Sequence, residues 1–176
     1  MKNLYQIMIS IVFIITLTAC GAPKKEEVAV TLPKAEICAQ VKHLIAQHKD
    51  NFNKIKRKRI ITPIMDIWET DYQLVGKSCQ IWRWSDGKQA YMCSLTMPNK
   101  QAAIEKHTKA VKFSKQCLGN KWSVRNIESK NKGAFRTIFS QPVKQTVASV
   151  HRVKTTGLFD GEWTIYYFIG DPDKSL

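Results

Sequence analysis

Two β-rich runs around Ser85-Asp86-Gly87 constrain the fold of this 176-residue chain more than any other local feature. The runs, 78–84 and 88–95, flank a turn whose glycine suits a positive φ, so they predict an antiparallel hairpin. A turn centred on Asp86 sets the register and places Cys79 opposite Cys93. The face opposite these cysteines is then expected to carry Trp82, Trp84, Ala90 and Met92.

Two helices are predicted from apolar residues at helical spacing. The first spans about 34–54, and Pro63 ends any continuation of it. The second is predicted to begin after Pro98-Asn99 and to end before Gly119, because a glycine at this position is the usual C-terminal cap.

The remaining apolar runs alternate as strands do. They lie at 68–74, in the hairpin, and at 134–141, 143–153 and 162–169. The element order helix-βββ-helix-βββ predicts an α+β domain over 34–176, with an antiparallel sheet packed by two helices on one side. The sheet is expected either as two similar halves, 34–97 and 98–176, or as one continuous structure.

This layout resembles that of tandem helix-sheet inhibitor proteins such as the β-lactamase inhibitory protein. More loosely, it is similar to small lipoproteins of outer-membrane assembly machinery. The resemblance lies in the element order and implies, as one functional hypothesis, a protein that inhibits a hydrolase.

The first twenty residues predict export. Lys2 supplies a positive charge, and the apolar run 4–17 is too short to span a bilayer comfortably. Leu17-Thr18-Ala19-Cys20, followed by Gly21, resembles the lipobox of bacterial lipoproteins. The resemblance implies that residues 1–19 are a signal peptide and that Cys20 is the lipidated N-terminus of the mature chain.

Lipidation would set both the location and the anchor of the protein. Two or more acyl chains on Cys20 hold a protein stably at a membrane, whereas one chain binds only marginally. In lipoproteins of two-membrane cells, Gly21 rather than aspartate after the cysteine is the pattern sorted to the outer membrane. We therefore expect a cell-envelope protein with an outer-membrane lipid anchor, facing the periplasm, and a flexible tether over 20–33.

Four cysteines remain outside the lipobox, and in an exported chain they predict two disulfides. Three connectivities are possible. We favour Cys38–Cys79 with Cys93–Cys117, because each bond would fasten one helix to the sheet. The alternative bond from Cys79 to Cys93 requires a directly cross-strand geometry, although the predicted register allows it.

Motifs that carry catalysis are lacking in the sequence. It contains no C-x-x-C pair, no H-E-x-x-H helix, no G-x-S-x-G elbow and no glycine-rich phosphate loop. The four histidines do not form a metal-binding pair at i, i+4. We therefore expect a protein that is not an enzyme, with no catalytic residue, no metal and no cofactor.

Positive charge is concentrated in the middle of the chain. The formal net charge is +14, and residues 97–157 hold 13 Lys or Arg against two Asp or Glu. Such a field favours binding of an anionic glycolipid or cell-wall polymer. The alternative is a basic surface that is simply solvated and binds no partner. Nucleic acid is disfavoured, because lysine dominates and aromatics are not interleaved with arginines. The residues expected to contact an anionic partner are Lys56, Arg57, Lys58, Arg59, Lys106, Lys109 and Lys112.

The hairpin offers the second functional indication. Trp82, Trp84 and Met92 are expected on a sheet face that the helices leave open, and exposed tryptophans are typical interface anchors. The alternative is that other chain segments cover both faces. The sequence thus favours a binding or assembly accessory for another envelope protein, with the anionic polymer binder second and the hydrolase inhibitor third.

Overall fold

The computed structural model describes residues 34–76, 78–129, 134–142, 145–155 and 162–174. The predicted signal peptide, the tether and the predicted lipidation site Cys20 lie outside these residues. Among the described residues, neither helix combines the length and the apolar character needed to cross a membrane.

Within the described residues, each half of the domain consists of one helix followed by four antiparallel strands. The first half contains α1 (Lys34–His48), β1 (Arg59–Ile61), β2 (Met65–Glu69), β3 (Ser78–Trp84) and β4 (Gln89–Met97). The second contains α2 (Lys100–Leu118), β5 (Ser123–Glu128), β6 (Phe135–Ser140), β7 (Val147–Lys154) and β8 (Trp163–Gly170), with a 3₁₀ turn at Pro172–Lys174. The predicted α+β class is confirmed, with four strands rather than three in each half.

The two halves share one continuous sheet. Its strand order is β1-β2-β3-β4-β8-β7-β6-β5, so the halves meet where β4 pairs with β8. This pairing runs from Ala90 opposite Gly170 to Met97 opposite Trp163. A Cβ at Gly170 would lie 2.6 Å from the Cβ of Ala90, closer than real Cβ atoms approach. The close approach at this end of the seam therefore requires glycine.

The two strands missing from the sequence prediction, β1 and β5, are the edges of the sheet. β1 has three residues, and every side chain of both strands is exposed. An edge strand of this kind lacks the alternation of buried and exposed positions by which strands are recognised. The strand predicted at 68–74 also differs, because β2 begins at Met65, opposite Trp84, and ends at Glu69.

Helix α1 is shorter than predicted because the chain reverses after His48. Asn51 and Phe52 both adopt positive φ, at 54° and 56°. The Phe52 N–H donates to the carbonyl oxygen of Gln47 at 2.8 Å, which closes the helix end. The turn carries the Phe52 side chain into the core, where it is fully buried.

Helix α2 has the ends that the sequence predicts. Asn99 accepts a hydrogen bond from the Ala102 N–H at 2.9 Å and so caps the first turn. At the other end, Gly119 has a φ of 76° and its N–H donates to the Lys115 carbonyl oxygen at 3.0 Å.

The main core lies between the sheet and the two helices, which pack on the same face and against each other. Its largest fully buried strand side chains on this face are Ile81, Tyr91, Phe139, Ile165 and Ile169. The Tyr91 hydroxyl donates to the Tyr72 carbonyl oxygen at 2.9 Å, which ties the segment between β2 and β3 to the sheet. Burial raises the pKa of Tyr91, so this hydroxyl keeps its proton.

The predicted disulfide pairing is wrong. The bonds join Cys38 to Cys117 and Cys79 to Cys93. α1 and α2 pack side by side, which brings their cysteines together with Cα atoms 4.8 Å apart. Cys79 and Cys93 lie directly opposite each other in the predicted hairpin register, with Cα atoms 4.0 Å apart. The two disulfides thus fasten helix to helix and strand to strand.

The helix-to-helix bond is expected to contribute more stability than the hairpin bond. It closes a separation of 79 residues, against 14 for the hairpin bond. On the chain-entropy model these loops correspond to about 4.5 and about 3 kcal/mol. Replacing Cys38 and Cys117 together by alanine should therefore lower the urea midpoint more than replacing Cys79 and Cys93 together. Equal losses, or the reverse order, would contradict this assignment.

Candidate binding face

The sheet face opposite the helices carries a second hydrophobic cluster. Trp82 and Trp84 are half-buried on this face, as the sequence predicts, and none of the described helical residues belongs to the cluster. Its buried members are Ala90, Met92, Ile138, Val147 and Phe168, and the half-buried side chains packed on them are Trp82, Trp84 and Tyr166. This surface is called the open face below.

The two tryptophans are held as a pair. Their ring centroids lie 6.1 Å apart with the planes tilted by 60°. The indole N–H of Trp82 donates to Gln80 Oε1 at 3.1 Å, and Lys174 Nζ lies 5.6 Å from the ring centroid of Trp84. Each ring therefore has a polar neighbour that fixes it while part of its surface stays exposed.

Strand pairing extends the aromatic patch across the seam. Met65 lies opposite Trp84, and Ile67 lies opposite Trp82. On the other side, Met92 of β4 lies opposite Phe168 of β8. The aromatic face is the resulting patch of the open face, formed by Met65, Ile67, Trp82, Trp84, Met92, Tyr166 and Phe168.

The aromatic face consists of accessible side chains and of buried side chains that support them. Met92 is only 3% exposed and Phe168 is 1% exposed, so both lie beneath the surface. The accessible part is formed by the half-buried side chains, which are Met65, Ile67, Trp82, Trp84 and Tyr166. The sequence predicts that Trp82, Trp84 and Met92 contact a protein partner. In the structure Met92 lies beneath the two tryptophans and supports them. Tyr166 and Phe168 were missed, because the pairing of β8 with β4 joins segments far apart in the chain.

Strand β7, beside Tyr166 and Phe168 on the open face, holds a buried serine and histidine. Ser149 Oγ lies 2.7 Å from His151 Nε2, at the β7 positions that face away from the helices. A cavity of about 270 Å³ lies beside them, with Arg136 and Tyr166 in its wall. The Ser149 side chain is fully buried, so the cavity does not expose its hydroxyl to a substrate.

Burial lowers the pKa of His151 to about 3, with Arg136 and then His107 adding to the effect. Burial also lowers the pKa of His107, although that ring hydrogen-bonds to the Val150 carbonyl oxygen at 3.2 Å. Both rings are therefore neutral near pH 7, in keeping with a packed interior.

The basic residues 56–59, which lead into β1, are largely engaged within the protein. Lys56 Nζ donates to Gln89 Oε1 at 2.7 Å and lies 4.2 Å from the ring centroid of Trp68. Arg57 pairs with Asp71 at 2.5 Å. The remaining members are Arg59, which pairs with Asp66 at 2.7 Å, and Lys58, which is exposed.

The lysines of α2 lie on the opposite side of the sheet from the aromatic face. Lys109 and Lys112 are exposed, and Lys106 is half-buried. Lys106 and Lys109 border an apolar cleft of about 200 Å³ between α1 and α2. α2 packs over β7 and β8, whereas the 56–59 block leads into edge strand β1, so the predicted anionic contact residues form two separate groups.

Within the part of the chain that the structure describes, no group of three or more His, Cys, Asp or Glu side chains is arranged to hold a metal ion.

Acid should destabilise the protein through His151. Its pKa in the folded state is below the ordinary value of 6.5, so its contribution to stability is complete above pH 6.5 and is lost as the pH falls toward 3. One such group changes the free energy of unfolding by at most about 1.4 kcal/mol per pH unit. Between pH 7 and pH 4, the free energy of unfolding measured with urea should therefore fall less steeply with pH for His151→Gln than for the native chain. An identical slope in both would contradict this role.

Comparison of the chain with family models, curated proteins and solved structures finds no match.

Proposed function

We propose that this chain is an envelope lipoprotein, anchored to the outer membrane by acyl chains on Cys20, that acts as a non-enzymatic binding or assembly accessory. Its partner in this proposal is another envelope protein, bound through the aromatic face. The observation that carries the proposal is the pair of half-buried tryptophans, Trp82 and Trp84, on a sheet face to which the described helices contribute nothing.

The packing of the aromatic face favours a protein partner. Tryptophan is enriched among the residues that dominate protein interfaces, because a large ring can be desolvated with little loss of conformational freedom. Met92 and Phe168 support the rings from below, and Gln80 holds the Trp82 indole. A surface ordered before binding loses less conformational entropy when the complex forms.

The lysine-rich helix would contribute to the rate of association. α2 contains five lysines and a single glutamate, Glu105. Because these lysines lie on the side of the sheet opposite the aromatic face, they act on a partner through the long-range field rather than by contact. Such a field raises the association rate of an acidic partner more than its affinity.

Photo-cross-linking in the native envelope tests the proposal. A photoreactive aromatic amino acid in place of Trp82 keeps a ring at that position and should yield a discrete protein adduct under non-reducing conditions. The matched control carries the same amino acid in place of Lys112, on the far side of the sheet, and should not capture the same protein.

Two outcomes would contradict the interface. One is the absence of any protein adduct at position 82 although the variant is folded and correctly oxidised. The other is the same set of adducts at positions 82 and 112, which indicates contact without a specific face.

The second candidate function is binding of an anionic glycolipid or cell-wall polymer through Lys106, Lys109 and Lys112. It is favoured by the row of lysines on α2, of which Lys109 and Lys112 are exposed and Lys106 is half-buried, with a single acidic side chain among them. Binding of this kind should weaken steeply with ionic strength, whereas a hydrophobic protein interface should change little. A diffuse glycolipid or polymer adduct at position 112 would support this candidate.

The hydrolase inhibitor remains a third candidate, supported by the element order alone. It would use the same aromatic face on a different class of partner. The protein captured at position 82 therefore distinguishes it from an assembly accessory.

A further inference from the structure

The turn between β1 and β2 exposes large apolar side chains at one corner of the sheet. Ile61 is 74% exposed and Ile64 is 72% exposed, and Ile60 beside them is 38% exposed. Among the described residues, the other exposed large apolar side chains are Val124 and Ile127. They are 39% and 38% exposed, about half as much as Ile61 and Ile64. The most exposed apolar surface in this part of the chain is thus concentrated on one turn.

The turn is held in a fixed shape. Thr62 Oγ1 donates to the Met65 carbonyl oxygen at 2.6 Å and accepts from the Met65 N–H at 3.1 Å. The Thr62 N–H also donates to the Met65 carbonyl oxygen, at 3.2 Å. The residues between these anchors are Pro63 and Ile64, so the isoleucine is presented from a closed turn. Its exposure is therefore a property of the fold.

Basic residues precede this apolar tip in the chain. Between residues 54 and 71 the chain contains five Lys or Arg and three acidic residues, Asp66, Glu69 and Asp71, and Arg83 adds a sixth basic residue at this corner. Arg59 and Arg83 share Asp66, and Arg57 pairs with Asp71, so the six basic residues still outnumber the acidic ones and the corner keeps a net positive charge. Lys58 extends from the exposed chain just before β1.

We propose that the β1–β2 turn, with Ile61 and Ile64 at its tip, inserts into the surface of a bilayer that contains anionic lipids. Apolar side chains on a narrow tip enter the headgroup region, while the exposed Lys58 and the net positive charge behind the tip attract the lipid phosphates. A protein partner is less favoured, because a two-isoleucine tip offers much less area than a stable protein interface buries. The inference is independent of the aromatic face.

The depth of the tip can be measured in the full-length protein. A dansyl-alanine residue replaces Ile64, and the purified protein is reconstituted into phosphatidylethanolamine vesicles containing phosphatidylglycerol with brominated acyl chains. Bromine quenches fluorescence only at short range, so the probe at position 64 should lose much of its emission. The matched probe in place of Ile127, on the opposite edge strand, should retain its emission.

The charge requirement is tested in the same preparation. Lys58→Glu should reduce quenching of the probe at position 64, whereas Lys42→Glu, which makes the same charge change on an exposed position of α1, should leave it unchanged. Both positions are exposed, so the variants are expected to fold. The proposal is overturned by equal quenching at positions 64 and 127, by no quenching at 64, or by equal quenching at 64 in brominated phosphatidylcholine.

Discussion

The pairing of β4 with β8 is the interaction on which the rest of the structure depends. It joins two segments that lie far apart in the chain and turns two helix-and-sheet halves into one eight-stranded sheet. Gly170 permits the close approach to Ala90 at one end of this pairing. Because both helices lie over the joined sheet and are themselves linked by Cys38–Cys117, the core is shared between the halves.

The same pairing creates the open face. Without it, Trp82 and Met92 would belong to one half and Phe168 to the other. With it, the three lie in one cluster in which the buried Met92 and Phe168 support the half-buried Trp82 ring. The functional proposal therefore depends on a non-local contact, and the lysines of α2 lie on the other side of that same sheet.

Local features were predictable from the sequence, and non-local ones were not. The hairpin register around Asp86 and the two ends of α2 follow from turn and cap residues, and all three were predicted. The bond from Cys38 to Cys117 depends on α1 and α2 lying side by side, which no local pattern encodes. The bond from Cys79 to Cys93 is compatible with the predicted hairpin register, but helix-to-sheet bonds were favoured over it, and the predicted pairing was wrong. The position of Trp82 and Trp84 on the open face followed from strand alternation, whereas Tyr166 and Phe168 required the pairing of β4 with β8.

Native-state hydrogen exchange is the most direct test of the central claim that the two halves form one cooperative sheet with one continuous face. Backbone amides in β4 and β8 should exchange only through global unfolding, with an opening free energy equal to that from urea unfolding and equal on both sides of the seam. Exchange of one half of the sheet at a lower free energy, while the other half remains protected, would contradict the claim. The aromatic face would then not exist as a single preformed surface.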